Sequence, residues 1–238
     1  MKKHIPNFLT TLNLLCGVFS IMAVFENRLE WTAYFICMSA LFDFLDGSMA
    51  RLLNVKSEFG KQLDSLADMV SFGLVPGVVL FFLLKESTPE LSIYINKINI
   101  IPYTAFLVPV FSALRLAKFN LDSRQQDIFI GLPTPANTLL IVSLSLIHSN
   151  IFCDTSFLSA ATNNTYFLLL LTFLSCFLLI AELPLHSLKL KSLKWNENKP
   201  QFILIITSVT LIAIFKVIAI PIILGVYLLL SIIIKPKQ

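Results

Sequence analysis

The sequence predicts an all-α integral membrane protein with about eight transmembrane helices. Of its 238 residues, 56% are hydrophobic and 13% charged, with a mean hydropathy of +0.82. That leaves too few polar side chains to coat a water-soluble globule. Apolar runs recur along the whole chain, each close to the roughly 20 residues that a helix needs to cross the hydrocarbon core. Lys and Arg fall between these runs in a pattern that alternates across a bilayer. The simplest organisation is one membrane domain over 1–238, with a core over about 1–150 that holds the polar motifs and additional helices over about 160–235.

The first span, near 7–25, follows Lys2, Lys3 and His4 as a signal peptide would. No small-residue cleavage site follows it and hydrophobic spans continue, so it reads as a retained helix. Spans near 31–52 and 59–84 carry acidic residues within apolar surroundings. A fourth, near 99–118, ends on Arg115 and Lys118, and a fifth, near 132–149, opens on Gly131, Pro133 and Pro135, proline being well suited to a first helical turn. The sixth is expected near 164–183, and the last two, near 201–215 and 217–234, are short and closely joined, a single re-entrant hairpin being the other reading.

With the N-terminus in the cytoplasm, eight crossings place 14 of the 18 Lys and Arg residues inside: Lys2, Lys3, Arg51, Lys56, Lys61, Arg115, Lys118, Arg124, Lys189, Lys191, Lys194, Lys199, Lys235 and Lys237. Arg28, Lys85, Lys97 and Lys216 are then outside, as is the Ser149–Thr165 loop, which has no Lys or Arg. This bias puts both termini in the cytoplasm. The segment from His186 to Lys199 reads as a solvated cytoplasmic loop in preference to an amphipathic helix lying on anionic lipid. The net charge of +4 is dispersed among hydrophobic segments and forms no soluble basic face, which argues against a nucleic-acid partner. Cys16, Cys37, Cys153 and Cys176 show no paired spacing, so neither a zinc site nor a disulfide framework is indicated.

Carboxylates inside membrane helices cost about 2.5–3.5 kcal/mol each at the helix centre, so a cluster of them calls for a function. Asp43 and Asp46 are three apart on the second span, and Asp64 and Asp68 four apart on the third, so each pair projects from one helical face. Converging carboxylates repel one another in a low dielectric unless cations neutralise them, and their oxygens are the hard ligands that magnesium or manganese prefer, calcium being a further occupant. Two such ions could clamp a pyrophosphate during phosphoryl transfer. Gly47 removes side-chain bulk beside Asp46, where a ligand could approach. Helix capping or pairing with Arg51, Lys56 and Lys61 would explain one or two of these acids, not four.

The run Asp43-Phe-Leu-Asp46-Gly47-Ser-Met-Ala50-Arg51, followed after eight residues by Gly60-Lys-Gln-Leu-Asp64-Ser-Leu-Ala-Asp68, resembles the complete signature of the CDP-alcohol phosphotransferase family. The resemblance implies a membrane enzyme with two divalent metal ions held by Asp43, Asp46 and Asp64, with Asp64 bridging. It further implies that Asp68 binds the second metal and acts as general base. Gly47, Ala50 and Arg51 would contact the CDP moiety, with Gly60 among the signature's fixed positions. Ser57 would present a hydroxyl to the nucleotide, and Asn7 and Thr10 resemble the family's nucleotide-facing start of the first helix, ordinary helix capping being the equal alternative for these two.

The signature is shared by enzymes that use several alcohols. Ser71-Phe72-Gly73-Leu74-Val75-Pro76-Gly77, Leu114-Arg115-Leu116-Ala117-Lys118-Phe119-Asn120 and Gly131-Leu132-Pro133-Thr134-Pro135-Ala136 are similar to the phosphatidylserine synthase branch. That branch implies CDP-diacylglycerol as donor, L-serine as acceptor, membrane lipids around the donor's acyl chains, and the bacterial inner membrane as location. Homodimers are common among proteins of this kind. A serine site must satisfy a carboxylate and an ammonium group near the base, for which Arg115, Lys118 and Asn120 are suitably placed, snorkelling to the interface being the alternative for the cations. Glycerol 3-phosphate is the alternative acceptor. No His-x-Lys motif follows His4, His148 or His186, so a phosphohistidine intermediate is not expected. A cation transporter would explain the acids but gives no reason for Gly47, Ala50, Arg51 and Gly60 at these spacings.

Overall fold

The computed structural model describes residues 4–55, 57–88, 91–121, 129–149, 156–185 and 199–233. It is an all-α bundle, as expected. Helix α1 (His4–Phe25) packs along α2 (Leu29–Leu52), and α3 (Glu58–Asp68) runs through a π-helical turn (Met69–Leu74) into α4 (Val75–Glu86). A 3-10 turn (Ile101–Phe106) leads into α5 (Leu107–Leu121), followed by α6 (Thr134–His148), α7 (Ser156–Asn163), α8 (Thr165–Ile180), α9 (Lys199–Phe215) and α10 (Ala219–Ile233). Two short antiparallel ribbons, β1 (Tyr94–Ile95) with β2 (Ile98–Asn99) and β3 (Phe129–Ile130) with β4 (Pro184–Leu185), sit between helices.

The reason for the α1–α2 pairing lies in what the helices bury. On α1 the covered positions are Pro6, Thr10, Asn13, Gly17, Ser20 and Val24, and on α2 they are Leu29, Thr32, Ile36, Ser39 and Asp46. These are mostly small or polar residues at alternating three- and four-residue spacing, whereas Leu15, Val18, Phe19, Met22, Met38 and Leu41 are exposed. In a bilayer this is the stable arrangement, because lipid solvates the apolar side chains and helices associate through close contact and interhelical hydrogen bonds. Ser20, for example, donates to the Thr32 carbonyl at 3.2 Å. Asn27 and Asn54, both with positive φ, end α1 and α2; the amides of Arg28 and Val55 return to the carbonyls of Ala23 and Ala50, a left-handed cap that asparagine tolerates.

Helix α4 is the apolar centre. Val75, Val78, Val79, Leu80 and Leu83 pack with Val24, Ile36, Ala105, Val108, Ile141 and Leu168. Gly77 admits Pro109 of α5, since a Cβ there would lie 2.6 Å from the proline ring. At the far end of α4, Ser87 bonds Thr165 at 2.9 Å and Thr88 bonds the Asn163 carbonyl at 3.0 Å, tying α4 to the α7–α8 junction. At the other end Gly131, with φ +78, and Leu132 donate to the carbonyls of Leu183 and Leu178, joining the start of α6 to the end of α8.

The expected spans coincide with α1, α2, the continuous stretch Glu58–Glu86, Ile101–Leu121, α6, α8, α9 and α10. Three details differ. The third span is not a uniform α-helix, because the π turn shifts its register after Asp68. The segment 149–165, expected as a loop, contains α7 among its described residues, and a hairpin turning on Asn96 and Lys97, both at positive φ, precedes the fourth span. The last pair are two helices packed on each other across a 3-10 turn at Lys216–Ile218, where Lys216 has φ +49. Lys2, Lys3, Lys56, Arg124, Cys153, Lys235, Lys237 and most of the His186–Lys199 segment lie outside the described residues.

Gly17 is where α1 touches the π turn: a Cβ would stand 2.4 Å from Ser71 Oγ and 2.9 Å from its Cα. Because the backbone would have to move, Gly17→Ala should destabilise the bundle by about 1–3 kcal/mol, the usual cost of overpacking. A lower thermal midpoint in detergent, with Gly225→Ala unchanged because no atom lies within 4 Å of the Cβ added there, is the expected result.

Candidate active site

The two acid pairs converge as their spacing implies. One carboxylate oxygen from each of Asp43, Asp64 and Asp68 lies within 4.8 Å of the others. Among the described residues no Lys, Arg or His forms an ion pair with them, and Asp64 Oδ1 is buried without a hydrogen-bond partner. Three carboxylates at this separation without an ion-pair partner among the described residues make a donor set suited to a hard divalent cation. Asp46 stands beside this group and is buried; Thr10 Oγ1 donates to its Oδ2 at 2.5 Å and also reaches the Pro6 carbonyl at 3.0 Å. Asp64 alone belongs both to the triad and to the adjoining cleft.

That cleft, about 450 Å³, is lined by Pro6, Asn7, Thr10, Asp46, Gly47, Ala50, Val55, Ser57, Glu58, Gly60, Lys61 and Asp64. Eight of these, Asn7, Thr10, Asp46, Gly47, Ala50, Ser57, Gly60 and Asp64, were expected from the sequence to face nucleotide or metal. A Cβ on Gly47 would meet only Arg51 Nη1, at an ordinary 3.8 Å, so packing within the chain does not demand glycine there. Room for a ligand is the remaining reason. Gly60 is different: a Cβ would press on Asn7 Oδ1 at 3.0 Å and Ser57 Oγ at 3.1 Å, closing the gap between α1 and α3. Ser57 caps α3, its Oγ accepting the Gly60 amide at 2.8 Å. Arg51 is exposed at the rim, donating to Ser48 Oγ at 3.2 Å, and is not part of the cleft lining.

A family model described as CDP-alcohol phosphatidyltransferase matches residues 3–185, a stretch that includes every element of this site. The chain belongs to that family. Among similar members is a Helicobacter pylori protein named CDP-diacylglycerol–serine O-phosphatidyltransferase, 29% identical over 233 residues, which cover 96% of this chain and 89% of that protein. Proteins with the same name from Mycobacterium leprae (30% over 237 residues, 97% of this chain and 70% of that one) and Saccharomyces cerevisiae (32% over 158 residues, 60% and 53%) are also similar.

Of the three residues expected at the acceptor, only Arg115 is buried, and it lies within electrostatic range of one of the acids. It is 7% exposed, lies within electrostatic range of Asp68, donates to Thr134 Oγ1 at 3.3 Å and rests on the Phe119 ring at 5.4 Å, while its Nε has no partner. Lys118 instead forms an exposed ion pair with Glu182 at 2.7 Å, because its helix position faces the end of α8. Asn120 is a tie between helices: its Nδ2 donates to Ser65 Oγ at 2.8 Å and its carbonyl accepts Lys61 Nζ at 3.3 Å.

Sequence reasoning missed Asn13 and Ser39, both fully buried, and the cleft-lining Pro6, Val55, Glu58 and Lys61. The signal for Asn13 was present: Thr10, Asn13, Gly17 and Ser20 recur at helical spacing inside an apolar span.

Thr10→Val keeps the side-chain shape and removes the donor to Asp46. Since hydrogen bonds to charged groups are worth about 1.5–3 kcal/mol, turnover should fall by about 10- to 100-fold. Thr11→Val, whose exposed hydroxyl bonds only the Asn7 carbonyl, should stay near wild type, and steady-state rates of the two variants side by side check this.

Proposed function

We propose that this family member transfers the phosphatidyl group of CDP-diacylglycerol to the hydroxyl of L-serine, giving phosphatidylserine and CMP, as an enzyme of phospholipid biosynthesis. The observation that carries the chemistry is the convergence of Asp43, Asp64 and Asp68 at the end of a cleft walled by Gly47, Ala50 and Gly60. The acceptor is supported by the tracts around Arg115 and Gly131 and by the names of the similar proteins.

The acids fit two divalent ions, magnesium or manganese first. Asp43, Asp64 and Asp68, with Asp46, whose Oδ2 is fixed by Thr10, would supply the oxygens that hold them. When bound, such ions neutralise charge on the pyrophosphate and on the departing phosphate. The chain's own residues do the rest. Asn7, Thr10, Gly47, Ala50, Ser57 and Gly60 would seat the CDP moiety in the cleft, with Arg51 reading a phosphate from the rim. Asp68 takes the proton of the serine hydroxyl, whose oxygen forms the new bond to the lipid-side phosphorus; the bond from that phosphorus to the CMP oxygen breaks and CMP leaves with the electron pair. Arg115, buried within electrostatic range of Asp68, would offer a cation to the serine carboxylate, whereas Lys118 and Asn120, engaged with Glu182 and Ser65, would frame the approach.

The same reading places the unit that acts within α1–α6 of a single domain. Arg51, Lys61 and Lys118 gather at the end bearing the cleft, and Arg28 and Lys97, in connecting segments, and Lys85, in the last turn of α4, lie at the opposite ends of the helices, which favours a cleft open to the cytoplasm from a bacterial inner membrane.

Purified protein supplied with CDP-diacylglycerol and magnesium or manganese should release CMP with L-serine and not with glycerol 3-phosphate; CMP release with the second alcohol alone would reassign the acceptor, and ion flux without any CMP would make the protein a transporter. Asp68→Asn keeps size and one oxygen but removes the base. It should lower kcat by about 10²–10⁴ while donor affinity, measured by calorimetry, persists. Equal loss of binding and turnover would make Asp68 chiefly a metal ligand.

A further inference from the structure

Behind Asp68 lies a buried polar node to which the resemblance and the comparisons assign no role. Asn13 of α1, fully buried, donates from Nδ2 to Asp68 Oδ1 at 3.3 Å. Its Oδ1 accepts the hydroxyl of Ser39 of α2, which is itself fully buried. Its backbone carbonyl accepts Ser71 Oγ of the π turn at 3.1 Å. One asparagine thus touches all three helical segments that carry or flank the acids.

The orientation of its amide is determined by chemistry. An ionised carboxylate only accepts hydrogen bonds, so the nitrogen must face Asp68 and the oxygen must face Ser39, whose hydroxyl is then committed as donor. The rotation of a carboxylate about its last bond is otherwise broad and nearly two-fold, with no intrinsic preference for one setting. Loss of that setting would leave Asp68 in place but let its oxygens turn away from the hydroxyl that it must deprotonate.

We propose that Asn13 is a positioning residue that fixes the rotation of the Asp68 carboxylate for proton abstraction, and that Ser39 acts through it by locking the amide. The inference rests on the reading of Asp68 as general base. Asn13 is neither a metal ligand nor in contact with substrate in this account, and it holds Asp68 only through Oδ1, so its removal should act on kcat more than on binding.

Asn13→Leu, close in shape and without polar atoms, should lower kcat by about 10- to 100-fold, the range that follows from losing a hydrogen bond to a charged group. The KM for serine and the affinity for CDP-diacylglycerol should stay within about two-fold, and the Mn²⁺ affinity of the substrate-free protein, followed by electron paramagnetic resonance, should fall by less than kcat does, because Asp68 is also read as a metal ligand. Ser39→Ala leaves Asn13 in place but unlocked, so a smaller kcat loss is expected; it also serves alone should the Leu variant not fold. Combining the two changes should be no worse than Asn13→Leu by itself, because Ser39 has nothing left to orient. Wild-type kcat in Ser39→Ala, a double variant whose losses multiply, or a kcat loss matched by an equal fall in Mn²⁺ affinity or accompanied by a fall in thermal midpoint, would each overturn the assignment. If Asp68→Asn retains kcat, the base reading itself fails; if Asp68→Asn loses it and Asn13→Leu does not, only the positioning role fails.

Discussion

Holding four carboxylates between two helices of a membrane bundle is the constraint on which the rest of this structure depends. Each such group is costly in hydrocarbon unless it is solvated, hydrogen-bonded or paired with a cation. The bundle answers locally. Thr10 binds Asp46 and Asn13 binds Asp68, both from α1, while Asp43 and Asp64 are left without a cationic side chain among the described residues. The imbalance is what suits the group to a cation rather than to a buried ion-pair network.

The polar inward face of α1 follows from this requirement. A helix that covers acids on α2 and α3 has to bring donors to them, and it has to come close enough to deliver short side chains. Gly17 supplies the proximity and Thr10, Asn13 and Ser20 the polar contacts, so the same residues hold the helices together and set the acids. Stability and function are therefore carried by one interface at this end of the molecule. The apolar packing around α4 supports the other end, where Val79, Leu80 and Leu83 are sealed from lipid and water alike.

Much of this was legible in the sequence because the bilayer restricts the alternatives. Apolar runs had to be helices, and acids three and four apart inside them had to share faces, which the Asp43, Asp64 and Asp68 cluster shows. What was not legible depends on tertiary register. No periodicity marks the π turn at Met69–Leu74, because one inserted residue of register changes which side chains meet and leaves local composition untouched. Lys118 and Asn120 were placed correctly at the helix end but not in azimuth, and Glu182 and Ser65, distant in sequence, decide their partners. Asn13 was passed over because a single amide in an apolar span is ambiguous until its neighbour on another helix is known.

The central claim is that Asp43, Asp46, Asp64 and Asp68 would together hold two divalent ions, as the resemblance implies. Anomalous scattering from a manganese-soaked crystal with CDP-diacylglycerol bound tests it most directly. The account predicts two peaks, each at ligand distance from at least one of these four carboxylates. A single peak that leaves Asp46 without a cation, or manganese bound away from these four residues, would contradict it.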